Sequence, residues 1–143
     1  MIHLKQLLEK KGAGAVTVAA SVSVATAIRT MYERRVGSVV IQADGGMPIG
    51  ILTERDIMRL YAEGKTEFET LSVKDCMTTD LVLAKPEDKV TEVLGIMTMK
   101  RFRHMPVVKN GQLVGLVSIG DLVKAKLEET AQEAEALRNY ITS

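Results

Sequence analysis

The pattern of apolar and polar positions along the chain alternates between short apolar runs and segments with helical spacing. Two apolar runs, residues 15–18 and 81–84, predict strands. Each run precedes a segment in which apolar residues recur every three residues, the spacing of an amphipathic helix. The apolar positions of these two predicted helices are Val22, Ala25, Ile28, Met31, Val90, Val93, Ile96 and Met99.

Two further apolar runs joined by a turn follow each predicted helix and indicate a β-hairpin. Residues 38–42 pair with residues 48–52, and residues 106–109 pair with residues 112–117 across Asn110-Gly111. Asn-Gly is a favoured two-residue hairpin turn because both of its residues tolerate a positive φ. A final helix is predicted to begin where each hairpin ends, at Thr53 and at Ser118.

The elements recur because the chain contains an internal repeat. A shift of 68 residues aligns residues 22–40 with residues 90–108, and seven of the 19 pairs are identical. A shift of 65 residues aligns residues 49–58 with residues 114–123. One unit is small for an independent core. We therefore predict an α+β (mixed α/β) fold in which two β-α-β-β-α repeats pack about a pseudo-twofold axis.

The repeat divides the chain into three predicted parts. Residues 1–66 form the first repeat with an N-terminal helix, residues 67–126 form the second repeat, and residues 127–143 extend the last helix. An apolar stripe continues along this extension. The stripe either packs back on the parent domain or forms a seam between two copies of the chain, and its length favours a homodimer.

Composition excludes several classes of function. The 19 basic residues nearly cancel the 18 acidic ones, and aromatic residues make up 3% of the chain, so we expect no nucleic-acid partner. The longest uncharged stretch, residues 12–28, contains four hydroxyl residues and is shorter than the roughly 20 apolar residues of a spanning helix. We expect no membrane partner. The single cysteine excludes an intramolecular disulfide, which fits a cytoplasmic location.

A motif that could carry chemistry occurs once in each repeat, at residues 50–56 and 115–121. It consists of glycine, two apolar residues, a hydroxyl residue, two variable residues and aspartate. The hydroxyls of Thr53 and Ser118 stand at predicted helix starts, where free N–H groups favour phosphate. Asp56 and Asp121, three residues later, could accept the hydroxyls of a ribose. The same spacing is typical of a helix capping box, and both interpretations remain open.

Basic residues precede the hairpin strand of each repeat and differ between the repeats. Arg103 and His104 are predicted to lie near a phosphate held by Ser118. Arg35 takes the equivalent place in the first repeat, where Val36 replaces His104. We therefore predict two unequal clefts, with more anion-binding capacity in the second.

The tandem units with their G-h-h-[ST]-x-x-D motifs resemble CBS domains, the family named after cystathionine β-synthase. Residues 72–78, SVKDCMT, are similar to the lead-in of a second CBS unit. Residues 103–108, RHMPVV, are similar to the R-H-L-P-V-V strand of that family. The resemblance covers most of the chain.

The resemblance implies adenine ligands in two clefts between the repeats, such as AMP, ADP, ATP, NAD or S-adenosylmethionine, and a homodimer. By motif, Asp56 and Asp121 would bind ribose, while Thr53 and Ser118 would hold phosphate. The expected charges at the phosphate are Arg103, His104 and, more weakly, Arg35. Adenine would lie against Ile51 and Leu116, and the first strands near Val16 and Leu83 would close the pockets.

The predicted function is that of a small stand-alone regulatory or sensor module that binds an adenine nucleotide and acts on an unidentified protein partner in trans. No cofactor is required. A dimeric structural or adaptor protein with vestigial clefts is the alternative. We do not expect an enzyme, because the sequence contains no visible nucleophile with a paired base and no metal-ligand set.

Overall fold

The computed structural model describes residues 2–11 and 15–142 and shows a mixed helix and strand fold. In chain order its elements are α1 (Leu4–Lys11), β1 (Thr17–Ala19), α2 (Val24–Arg34), β2 (Ser38–Gln42), β3 (Pro48–Thr53), α3 (Glu54–Ala62), α4 (Val73–Cys76), α5 (Val90–Lys100), β4 (His104–Lys109), β5 (Gln112–Ser118) and α6 (Ile119–Thr142). The predicted fold class and the long C-terminal helix are confirmed.

The strands form two small sheets, one in each repeat. In the first, β1 pairs parallel with β2 and β2 pairs antiparallel with β3. In the second, β4 and β5 form an antiparallel hairpin. The strand expected at residues 81–84 is reduced to one parallel bridge between Ala84 and Val107, because only Ala84 exchanges hydrogen bonds with β4 there. The first strand of the chain also begins later than the predicted residue 15.

The two repeats correspond with an offset of 66 residues through the helix and first hairpin strand, so the predicted offset of 68 is wrong by two. The fully buried Val90, Val93 and Met97 of α5 match Val24, Ala27 and Met31 of α2. The hairpin bulges, after Ile41 and after Val107, also match at this offset. A shift of two residues turns a helix by about 200°, so the predicted helix faces were partly wrong. Ile96 and Met99, placed on the core face, are 39% and 84% exposed.

The short helices that precede each repeat pack on the opposite repeat. Leu4 of α1 is completely buried in the core of the second repeat, whereas Val73 of α4 is completely buried in the core of the first. Backbone bonds fix both: Leu4 N–H donates to Asp88, and Val73 N–H donates to Val22. Position in the chain groups α1 with the first repeat, but the buried contacts of α1 belong to the second. We call residues 4–11 and 73–80 the linkers, and their contacts tie the two repeats together.

The C-terminal helix α6 leaves the body of the molecule after its first three turns. Its buried residues are Leu122 and Glu129, and every described residue after Thr130 is exposed. Leu137 is 60% and Ile141 is 72% exposed. The alternative that the whole stripe packs back on the parent domain is therefore wrong for the end of α6.

Within the described residues, no helix is both long enough and apolar enough to cross a membrane. The uncharged stretch at residues 12–28 forms β1 and the beginning of α2. Residues 12–14 of that stretch lie outside the described residues.

Candidate functional site

The first copy of the motif forms a complete capping box at the start of α3. The Thr53 hydroxyl accepts a hydrogen bond from the backbone N–H of Asp56 (3.2 Å). The Asp56 carboxylate in turn accepts from the Thr53 backbone N–H (2.9 Å) and from the Thr53 hydroxyl (3.0 Å). The capping interpretation is thus realised in the structure, and any ligand role shares these groups with the helix cap.

The other carboxylate oxygen of Asp56 faces one group of its own helix and one group of a more distant segment. It lies 3.5 Å from the Thr78 hydroxyl and 3.5 Å from a guanidinium nitrogen of Arg59. The Asp56 side chain is only 13% exposed. This carboxylate is therefore largely engaged by the protein itself.

The second copy of the motif has the same cap but a different third partner. Asp121 accepts from the Ser118 backbone N–H (2.9 Å), and its own N–H donates to the Ser118 hydroxyl (3.1 Å). The Lys11 ammonium at the end of α1 lies 2.6 Å from the same carboxylate oxygen and 2.9 Å from the carbonyl oxygen of Leu116. The Asp121 side chain is 29% exposed, about twice the fraction of Asp56. This carboxylate is the more accessible of the two.

The local charges shift two pKa values near this cap. Burial by itself raises the pKa of Asp121, but hydrogen bonds from Lys11 and Ser118 outweigh it and hold the pKa below its ordinary value. Burial lowers the pKa of His104, and Lys11 and Arg103 lower it further against the opposing charge of Asp121. His104 is therefore neutral at pH 7.

Thr53 and Asp56 line a cleft of about 310 Å³ between the repeats, which we call the first cleft. Ile51 forms part of its apolar wall, and Leu81 and Val82 of the second repeat face it. Its remaining lining residues are Gly37, Glu54, Arg55, Thr78, Asp80, Arg101, Phe102, Arg103 and His104. The motif of one repeat thus meets the basic segment of the other.

Ser118 and Asp121 line a cleft of about 380 Å³, which we call the second cleft. Leu116 and Val16 supply apolar wall in this cleft. The other lining residues are Leu8, Lys11, Ala15, Arg34, Val36, Gly37, Ser38 and His104. The two clefts are reciprocal, because each combines the motif of one repeat with the segment before the hairpin of the other. His104 lines both clefts.

Three predicted site residues lie elsewhere than expected. Arg103 lines the first cleft rather than the second, although its carbonyl accepts from the N–H of Ile119 at the start of α6. Arg35 ends α2 in the left-handed conformation (φ 56°) and lines neither cleft, while Arg34 lines the second. Leu83 faces the β4–β5 turn instead of a cleft.

The difference at Arg35 follows from the corrected offset of 66 residues. Arg35 corresponds to Arg101, the residue that ends α5 with the same left-handed conformation. The places of Arg103 and His104 are taken in the first repeat by Gly37 and Ser38. The clefts are unequal, but the extra arginines lie in the first cleft and not, as predicted, in the second.

The glycine of each motif allows a linker side chain to cross the hairpin. A Cβ on Gly50 would lie 2.2 Å from the sulfur of Met77, and a Cβ on Gly115 would lie 2.5 Å from Cδ2 of Leu8. Met77 is the first residue after α4, and Leu8 lies within α1. Sequence reasoning missed both contacts, and it also missed Lys11, which is separated from Asp121 by 110 residues.

Two repeated units of helices and a β-hairpin, with reciprocal clefts between them, define a tandem-repeat module. The CBS-domain family model matches residues 13–63 and 73–128. The chain therefore belongs to the CBS-domain family and contains a tandem pair of these domains.

Similar proteins agree with this assignment. The CBS-domain containing protein ATU1752 from Agrobacterium tumefaciens is 38% identical with a TM-score of 0.80, over 87% of this chain and 99% of that one. The CBS domain protein PAE2072 from Pyrobaculum aerophilum, solved in complex with AMP, is 27% identical with a TM-score of 0.78, over 92% of this chain and 99% of that one. CBSX3, a mitochondrial CBS domain-containing protein of Arabidopsis thaliana, is 38% identical over 80% of this chain. This chain spans 58% of the length of CBSX3.

Proposed function

We propose that this protein is a regulatory module that binds an adenine nucleotide in the clefts between its CBS domains and acts on a protein partner in trans. The observation that carries the proposal is the reciprocal pair of clefts. Each sets a helix-start hydroxyl and an aspartate beside an apolar wall. The AMP complex of the related Pyrobaculum protein supports this ligand class.

In this proposal the hydroxyls and carboxylates divide the nucleotide between them. Asp56 and Asp121 accept the ribose hydroxyls, and adenine lies against Ile51 or Leu116. The phosphate lies at the N-terminus of α3 or α6, where the helix dipole favours an anion.

The cations at the phosphate differ between the clefts. Arg101 and Arg103 supply them in the first cleft, and Arg34 and Lys11 supply them in the second. The regulatory step is a shift in population towards the arrangement that binds nucleotide better, which the partner then reads.

The proposal is tested by thermal unfolding of the full chain with AMP, ADP, ATP, NAD, S-adenosylmethionine and GMP. A ligand at 100 times its dissociation constant adds about 2.7 kcal/mol of stability, a rise of several degrees in Tm. We expect at least one adenine ligand to raise Tm and GMP not to. If no adenine ligand does so at millimolar concentration, the proposal fails.

Variants then assign the sites by calorimetry. Asp121→Asn and Asp56→Asn each remove a carboxylate charge and should weaken binding in their own cleft about tenfold, since hydrogen bonds to charged groups are strong. Asp44→Asn, in the exposed β2–β3 turn, is the matched control and should bind like the parent chain. Equal affinity in all three variants would refute the assigned roles.

A dimeric adaptor is the second candidate function, and the exposed end of α6 favours it. Leu127, Leu137 and Ile141 present apolar side chains along this helix with no covering element among the described residues. Sedimentation equilibrium of the chain and of Leu137→Asp tests the idea. A dimer that dissociates in the variant supports α6 as the seam, and a monomer in both rejects it.

A further inference from the structure

The Lys11 ammonium lies inside the second cleft, at the carboxylate assigned to ribose. It donates to Asp121 and to the carbonyl of Leu116, two of the three hydrogen bonds that an ammonium can make. The Lys11 side chain remains 43% exposed. A ligand that reaches Asp121 must therefore meet this ammonium.

The first cleft carries the opposite charge at the corresponding place. Leu4 and Val73 correspond as the buried anchors of α1 and α4, and Leu8 and Met77 correspond as the side chains that cross the motif glycines. Three residues further along each linker stand Lys11 and Asp80. Lys11 lines the second cleft and Asp80 lines the first.

This inversion changes the charge that a ligand meets. In the second cleft, Lys11 and Arg34 face a single acidic residue, Asp121. In the first cleft, three arginines are balanced by Glu54, Asp56 and Asp80. Since His104 is neutral, the titratable residues that line the second cleft carry a net positive charge only while Lys11 is present.

We propose that Lys11 is a specificity-determining residue of the second cleft and makes it prefer phosphorylated adenosine over the free nucleoside. This inference rests on the proposed function. An unphosphorylated ribose competes with the ammonium for Asp121 and offers no counter-charge in return. A phosphorylated ligand brings an anion to which Lys11 and Arg34 are attracted, so the same ammonium that opposes adenosine favours AMP.

The test compares the affinities of AMP and adenosine by calorimetry in the parent chain and in Lys11→Met, which keeps the length of the side chain but removes its charge. Binding in the second cleft is identified as the event that Asp121→Asn weakens. We expect the preference for AMP over adenosine to fall about tenfold in Lys11→Met, from weaker AMP binding, tighter adenosine binding or both.

Lys10→Met is the matched control. Lys10 is the adjacent residue of α1 and pairs with Glu128 at 3.0 Å, and it does not line the second cleft. The preference of Lys10→Met for AMP over adenosine should equal that of the parent chain. Lys11→Arg retains the charge and should retain most of the preference, and Lys11→Gln replaces Lys11→Met if that variant unfolds.

The outcomes separate the two proposals. If the parent chain binds AMP in the second cleft and Lys11→Met keeps the full preference, the role of Lys11 is refuted while the proposed function stands. An equal loss in Lys10→Met also refutes it, because general surface charge then explains the effect. If the parent chain binds another adenine ligand but neither AMP nor adenosine, the role of Lys11 is refuted while the proposed function stands. If it binds no adenine ligand at all, the proposed function fails and the role of Lys11 falls with it.

Discussion

Replacement of Gly50 by alanine tests whether the motif glycine is required by packing. The added Cβ would lie 2.2 Å from Sδ, 2.6 Å from Cγ and 3.1 Å from Cβ of Met77. Side-chain rotation can move Sδ and Cγ away if the surrounding packing allows another rotamer, but Cβ of Met77, at 3.1 Å, cannot move without moving the chain. That chain is held by two backbone hydrogen bonds between Ile51 and Thr78, at 2.9 and 3.0 Å. Relief of the clash therefore strains the wall of the first cleft.

The expected cost is that of overpacking, about 1–3 kcal/mol. A gain of roughly 0.4–1 kcal/mol from the stiffer unfolded chain offsets part of it. At the midpoints of these two ranges the net cost is about 1.3 kcal/mol, so for a chain of this size we expect Tm to fall by about 3–5 °C. The assay is urea unfolding followed by circular dichroism, with thermal unfolding as a second measurement.

Gly95→Ala is the matched control because a Cβ at Gly95, on the exposed side of α5, meets no atom within 4 Å. Alanine there should stabilise the chain by about 0.5–1 kcal/mol through its better helix propensity. Gly50→Ala and Gly95→Ala should therefore change the stability in opposite directions, which separates the effect of packing from that of backbone entropy.

A double variant locates the cause. If the clash with Met77 is responsible, Met77→Ala should remove most of the cost of Gly50→Ala, so the two changes are strongly non-additive. A Gly50→Ala variant as stable as the parent chain, or a cost that persists unchanged beside Met77→Ala, would refute the reasoning.

Three further predictions concern the linker, the cap and His104. Leu4→Ala should lower the free energy of unfolding by about 2–5 kcal/mol in urea titrations, because Leu4 is completely buried; a loss below 1 kcal/mol would mean that α1 does not anchor the second repeat. Thr53→Ala should cost about 0.5–2 kcal/mol through the lost cap of α3, and an unchanged urea midpoint would contradict the cap. The lowered pKa of His104 means that the unfolded chain binds a proton first as pH falls below 6.5, so stability should decline from there down to the folded-state pKa. His104→Gln should flatten that decline between pH 7 and 5, and an equally steep curve would show that another group causes it.

Local features of this chain were predictable because short-range physics decides them. The apolar run at residues 38–42 predicted β2 with the observed bounds. The predicted ends of the other hairpin strands agree with the structure to within one or two residues. The hydroxyl and aspartate spacing predicted the caps at Thr53 and Ser118, whose hydrogen bonds lie within three residues.

The correspondence between the repeats was not decided by sequence identity. The alignment with most identical residues placed Val22 opposite Val90, but burial pairs Val24 with Val90. Apolar residues are common on both sides of these helices, so chance identities outweighed the true register. Only contact with the sheet decides which side is buried, and the predicted role of Arg35, which rested on that alignment, is wrong.

The sequence by itself determined the repeats, the hairpins and the caps of this protein. The tertiary structure alone decided which repeat each linker joins, which arginine enters which cleft, and that Lys11 meets Asp121. These contacts join residues as far as 110 positions apart. No local pattern encodes them, because they depend on how both repeats pack as rigid bodies and on the space left between them.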